Sequence, residues 1–419
     1  MANVSSSNSQ KALVPKLRFP GFEGEWYLSP LSTYLAENTD RNKSLQYSKN
    51  DVLSVSGEYG IVNQIALQGR SFAGVSVADY HVVETNDVVY TKSPLKANPY
   101  GIIKHNSGVP GIVSTLYAVY HPKSCAISQF IDYYFQNDLR LNKYLKPLVN
   151  IGAKHDMKIN NEVALTGDVI FPSVDEQAKI VDFLKLIDEK IAKQKQLVEA
   201  LKSYKRGLSN ALFERVIEFC SGSDNKWTQF PLGDLGEFYN GLTGKQKTDF
   251  EHGSEPYIPY VNVYKNMVAD TSACESVSVS EREHQNKVRY GDILFTQSSE
   301  TLEEVGLSSV WLGDFEPFLN SFCFGIHFHE NLCIFPLYVA HYFRSTDARL
   351  KIMHEGQGIT RVNLSAERIK AISIPLPPME VQKKIGMFLK SLNDKINEKQ
   401  EIICQMEHLK IGLLQQLFI

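Results

Sequence analysis

The nearest approach to a phosphate loop in this 419-residue chain is NGLTGKQ at 240–246. That motif cradles phosphates only as G-x-x-x-x-G-K-[ST], and here Tyr239 stands at the first glycine and Gln246 at the magnesium-binding hydroxyl. Nucleotide binding is therefore not expected. Asn98-Pro99-Tyr100 echoes part of the N-P-P-Y loop of amino-methyltransferases, but the second proline is missing and no Gly-rich cofactor loop accompanies it. It reads as a turn. Cys323, His327, His329 and Cys333 have metal-ligating side chains, yet an extended strand separates the first two by about 13 Å. Ligands must all come within about 2.0–2.3 Å of one ion. The expectation is instead an alternating strand that buries Phe322, Phe324, Ile326 and Phe328, with no metal site. No G-x-S-x-G and no paired carboxylates stand out, so no catalytic residue is expected.

Side chains suited to nucleic acid are easier to find. The loops IGAKHDMKIN (151–160) and EGQGITRVN (355–363) combine glycine with Lys154, His155 and Lys158 in one and Gln357, Thr360 and Arg361 in the other. Arg, Lys and Gln reach the edges of guanine and adenine. A second pair is Lys92-Ser93 and Gln297-Ser298, at the ends of two matching β-rich runs, and Thr243 with Lys245 is a third candidate. Net charge opposes a protein that coats nucleic acid by bulk charge: it is −3 overall. Residues 216–330 hold 7 Lys and Arg against 18 Asp and Glu, so any polyanion must meet local patches.

The elements that position these loops come in duplicate. Laying residues 172–213 over 377–418 gives 14 identities in 42 positions, among them Pro172, Gln177, Leu184, Lys205, Leu212 and Phe213 with their counterparts. The same offset of 205 places NDVVYTKSP (86–94) over GDILFTQSS (291–299). Each copy begins with a mixed α/β module of short strands and ends in a long helix. Ser173 with Glu176 has capping-box spacing, and Pro377-Pro378 opens the second helix. Apolar residues then alternate in steps of four and three: Ile180, Leu184, Ile187, Ile191, Val198 and Leu201, and Ile385, Leu389, Leu392, Ile396, Ile403 and Met406. That is a coiled-coil seam, with Gln194 and Lys399 in the same slot. Some 39 residues give a helix of about 58 Å. The expected fold class is α+β: two mixed modules in tandem, each followed by a long helix, the helices pairing antiparallel with a pseudo-two-fold. Two separate surface helices are the alternative.

A hydrophobic fraction of 43% and a charged fraction of 22% fit folded domains. No apolar run reaches the ~18 residues of a membrane span, the polar N-terminus does not resemble a signal peptide, and six scattered cysteines read as reduced thiols. A cytoplasmic protein is expected.

KLRFPGFEGEW near the start, a G-D-[IV]-[LV]-[FY]-like turn in each copy, and P-x-x-x-x-Q-x-x-I-x-x-F-L opening each helix resemble the specificity subunit of type I restriction–modification enzymes. The resemblance runs from Lys16 to Phe418. It implies a flexible tail (1–15), a first target-recognition domain (16–172) and spacer helix (173–215), then a second domain (216–376) and helix (377–419). It further implies a non-catalytic subunit that reads a bipartite duplex target. Its partners would be two methyltransferase subunits and restriction or translocase subunits, with no membrane. S-adenosylmethionine, ATP and Mg would belong to those partners, and this chain would carry no cofactor. A stand-alone methyltransferase and a coiled-coil adaptor without DNA contact are the other readings.

Overall fold

A computed structural model describes residues 13–151, 157–217 and 227–419. The chain divides into two units: unit 1 comprises residues 1–193 and 403–419, and unit 2 comprises 194–402.

Unit 1 is organised on a four-stranded antiparallel sheet. Its strands are β1 (Leu35–Glu37), β2 (Val88–Thr91), β3 (Ile103–His105) and β4 (Tyr117–Pro122), in the spatial order β1-β4-β2-β3. Every residue of β2 is buried, as expected of a strand covered on both faces. Helices α1 (Ser128–Phe135) and α2 (Asp138–Leu145) pack on one face. A two-stranded ribbon of Tyr27–Pro30 with Asp168–Phe171 leads into the long helix α3 (Val174–Phe213).

Unit 2 repeats this plan. Strands β5 (Gly236–Asn240), β6 (Ile293–Thr296), β7 (Ser308–Val310) and β8 (Cys323–Phe328) lie in the order β5-β8-β6-β7, again antiparallel. Helices α4 (Pro336–Phe343) and α5 (Thr346–Glu355) correspond to α1 and α2. The ribbon Thr228–Pro231 with Ser373–Leu376 leads into the second long helix, α6 (Met379–Leu417).

The two long helices run antiparallel, because each unit joins the start of one to the end of the other. In unit 1, Ile180, Val181 and Leu184 of α3 share a core with Leu414, Leu417 and Phe418 at the end of α6. Phe418 lies 5.3 Å from Phe130 and 6.5 Å from Trp26 between ring centroids. In unit 2, Val381, Ile385 and Leu389 of α6 share a core with Leu212 and Phe213 at the end of α3. Phe213 stands 5.6 Å from Tyr338 and 5.4 Å from Tyr342. This explains why Leu-Phe recurs at the end of both helices: each pair is a plug, worth about 1.5–3 kcal/mol per buried side chain. Along the seam Ile180, Leu184, Ile191, Val198, Ile385, Leu389 and Ile396 are buried, and Ile187, Leu201, Leu392, Ile403 and Met406 are half-buried.

The glutamine of the helix-opening motif has a structural task in both copies. Gln177 accepts from the Ile127 amide at 3.0 Å and donates to the carbonyls of Cys125 at 3.1 Å and Pro172 at 3.0 Å. Gln382 accepts from the Phe335 amide at 2.9 Å and donates to Cys333 at 3.0 Å and Pro377 at 2.8 Å. Both are almost wholly buried. Each stitches the start of a long helix to the segment that begins α1 or α4. Glu176, at the capping-box position, gives both carboxylate oxygens to the Arg18 guanidinium at 2.8 Å. The N-terminal motif is thereby anchored on α3, and Phe19 packs edge-on against Phe183 at 5.4 Å.

One strand differs from its expected pattern. Phe322 is 59% exposed, while Cys323, Phe324 and Ile326 are buried. Strict alternation requires one wet face. Here β8 is paired on both edges and its two faces serve two different hydrophobic clusters, so consecutive residues are buried.

Candidate nucleic-acid interface

In unit 2, two of the candidate loops meet. The short strand Ser298–Ser299 pairs with Val362–Asn363, placing Ser298 opposite Asn363. Backbone bonds of 2.9 and 2.7 Å between Gln357 and Asn363 close the segment between them into a finger, and the Leu364 amide donates to the Gln297 carbonyl at 2.8 Å. Gly358 allows the reversal: its φ is +126°, and a Cβ there would lie 1.9 Å from the Arg361 carbonyl oxygen. Gln357, Thr360 and Arg361 are exposed along the finger, with Gln297 exposed beside it, and Ile359 at the tip is fully exposed.

Beside the finger is a cleft of about 440 Å³ lined by Arg361, Phe322, Tyr260, Tyr264, Glu300 and Glu304 among others. Tyr260 and Tyr264 stand one turn apart on a short helix (Tyr260–Lys265), their rings stacked at 6.0 Å and 17°. The Tyr260 hydroxyl donates to the Ser298 carbonyl at 2.6 Å, and that of Tyr264 donates to Glu304. Burial pushes the Tyr260 hydroxyl pKa up, against a smaller opposing effect of the Arg361 charge. The cleft thus offers aromatic faces and one exposed guanidinium, suited to base stacking and to hydrogen bonding with guanine. Its two glutamates repel phosphates, so the acidic block noted in the sequence borders this surface. Tyr260, Tyr264, Phe322 and Ile359 were missed by sequence reading. The i, i+4 tyrosine spacing was the available signal.

Thr243 and Lys245 do not join this cleft. Thr243 exchanges bonds of 3.0 and 2.9 Å with the Gln285 side chain. Lys245 donates to the Ser278 carbonyl at 2.6 Å and pairs with Glu283 at 2.5 Å, which holds that carboxyl down at about 2. Its charge is neutralised within the chain.

In unit 1, Lys92 is half-buried and donates to Asn161 at 2.9 Å, while the Asn161 amide donates to Glu37 at 2.8 Å. Burial lowers the Lys92 pKa. Ser93 next to it is exposed. Strand Met157–Lys158 pairs with Asn150–Ile151 as a hairpin that carries Lys158. Lys154 and His155 lie outside the described residues. The offset of 205 sets 154–156 over the finger tip, Ile359 to Arg361.

Two of the residues considered for metal are otherwise engaged, and His329 and Cys333 are exposed. His327 stacks on Tyr239 at 4.2 Å and its Nδ1 lies 3.0 Å from Asp292 Oδ1, while Cys323 is buried. Among the described residues no group of three or more His, Cys, Asp or Glu is arranged to hold a metal ion, and no helix is long and apolar enough to cross a membrane.

Residues 224–407 match the family model described as type I restriction modification DNA specificity domain. The chain is 28% identical over 168 residues to the type I restriction enzyme EcoKI specificity subunit of Escherichia coli, covering 40% of this chain and only 36% of that relative's length. It is 22% identical over 311 residues to the MjaIX specificity subunit of Methanocaldococcus jannaschii, covering 71% and 69%. In fold it is similar to a type I restriction–modification S subunit from M. genitalium, with a TM-score of 0.55 at 14% identity, over 97% of this chain and 99% of that one.

Proposed function

We propose that this chain is a specificity subunit of the type I restriction–modification kind, to which its second half and its fold are similar, and that each of its two modules reads one half of a bipartite duplex target. The carrying observation is the finger of unit 2. It holds Arg361 exposed on a rigid two-strand base, on a module whose strand order is repeated in unit 1. Two modules in one chain make the second contact intramolecular, so two weak readers yield one selective binder. The long helices keep the gap between the two words constant and offer their exposed faces to two methyltransferase subunits. Restriction or translocase subunits join through these. The chain itself is non-catalytic, and S-adenosylmethionine, ATP and Mg act in the partners. It works on DNA in the cytoplasm.

The test is selection of duplexes from a random library by the chain together with its methyltransferase. Two short, different words at fixed spacing are expected. Arg361→Ala should cost about 1–3 kcal/mol and relax one word only. Uniform weakening on every sequence would make Arg361 a phosphate contact. A selection that enriches no bipartite word would remove the DNA reading and favour a protein-binding scaffold, to which the acidic border of the cleft is suited.

A further inference from the structure

We propose that unit 2 binds a phosphate-type oxoanion in the cavity between the last turns of α3, the first half of α6 and the junction of α4 with α5. The cavity measures about 360 Å³, many times the ~10–15 Å³ that a single water requires. Lys205, Arg206, Asn210, His341, Thr346 and Asn393 are among its walls, and no acidic side chain is.

The other cations nearby are already satisfied. Lys202 pairs with Glu199 at 2.8 Å, and the Arg344 guanidinium donates to the carbonyls of Ser308, Val263, Tyr264 and Asn266. Lys205 and Arg206 have no such partner among the described residues. His341 is 3% exposed, and its Nε2 has no hydrogen-bond partner. Burial, reinforced by Lys205, pushes its pKa down to about 3, so at neutral pH it is an uncharged ring able to donate. The ten-residue helix α5 also begins here, its Thr346 amide held only by a long 3.4 Å bond to Asn210 Oδ1. Helix N-termini favour anions.

The internal repeat supplies a comparison within the same chain. The counterpart of Lys205 is Lys410, which in unit 1 pairs with Asp188 at 2.6 Å. The counterpart of Asp188 is Asn393, which cannot supply that charge. Unit 1 therefore carries its anion as a built-in carboxylate, and unit 2 takes one from outside. Donors of four kinds (ammonium, guanidinium, imidazole and amide) converge from several walls, which suits a tetrahedral anion with several acceptor oxygens. That anion is a free phosphate group or a backbone phosphate of a duplex.

Calorimetric titration of the full-length chain with inorganic phosphate, in chloride buffer, tests this. One saturable site is expected, weakened about tenfold or more by the pair Lys205→Ala and Arg206→Ala. Asn393→Asp should abolish it by supplying the charge internally, and should raise the melting temperature in phosphate-free buffer. Lys96→Ala, an exposed lysine of unit 1, should change nothing. If random-sequence duplex displaces the phosphate, the source is DNA backbone; if saturating duplex leaves phosphate bound, the ligand is a free anion. Absence of saturable binding, or equal binding by the Asn393→Asp chain, overturns the site.

Discussion

Gln177 and Gln382 show how much one side chain can organise. Each bonds three backbone groups at the start of a long helix, one of them buried and two part-buried. Truncation to alanine strands these groups, and a stranded buried polar group costs about 1–3 kcal/mol. Gln177→Ala should therefore destabilise unit 1 by about 2–4 kcal/mol and Gln382→Ala unit 2 similarly, with faster amide exchange at Ile127 and Phe335 as the local readout. Buried histidines set a pH dependence. His81 is pushed down to about 4 by burial, helped by the Arg41 guanidinium against its ring, and His341 to about 3. An unfolded histidine takes up its proton near pH 6.5. Below that pH the unfolded chain binds more protons than the folded one, so each ring removes up to about 1.4 kcal/mol of stability per pH unit. The loss runs down to the folded-state values and is absent above about pH 7. Denaturant melts of His81→Asn and His341→Gln between pH 7 and 5, in phosphate-free buffer, should show a flatter acid limb than the parent chain.

At the scale of elements, stability lies in the seam and in the two helix-end plugs. Leu184 and Leu389 are wholly buried at equivalent positions, each inside the core of its unit. Deleting such a side chain leaves a cavity and costs about 2–5 kcal/mol. Leu184→Ala and Leu389→Ala should each lower stability by that amount in chemical denaturation. Leu186→Ala, at a 65% exposed position on the same helix, should stay within about 0.5 kcal/mol. Equal effects at both kinds of position would mean that the heptad face does not carry the packing. The polar seam residues deserve separate measurement, since Gln194 keeps a buried Oε1 without a partner. A Gln194→Leu change should be neutral or stabilising, as expected when an unsatisfied polar atom is replaced by an apolar side chain.

For the whole molecule, the proposed reading makes the gap between two recognised words the decisive property. One heptad inserted after Gln194 and another after Lys399 preserve the 3.5 period, so the seams still mate. Seven residues add about 10.5 Å of helix, or roughly three base pairs at about 3.4 Å each. The selected words should stay the same while the preferred gap grows by about two to three base pairs. A gap that does not move, or words that change, would mean that the helices are not the spacer.

The duplication, the two long helices and their apolar seam were legible in the sequence, because periodicity is set by neighbouring residues and repetition shows when the chain is laid over itself. Tertiary structure decided which of the cations in the candidate loops are free. Lys92 and Lys245 look available in one dimension, but Asn161 and Glu283, 69 and 38 residues away, hold them. Arg361 stays exposed because Gly358 and the Gln357–Asn363 bonds project its loop outward. Phe322 was assigned to the core by alternation, but it precedes β8 in a turn and lines the cleft instead. The difference between Asp188 and Asn393 is visible in the repeat, yet it gains meaning only where the folded helices bring Lys410 and Lys205 to those positions. Charge and exposure depend on partners distant in sequence, and only the folded chain brings them together.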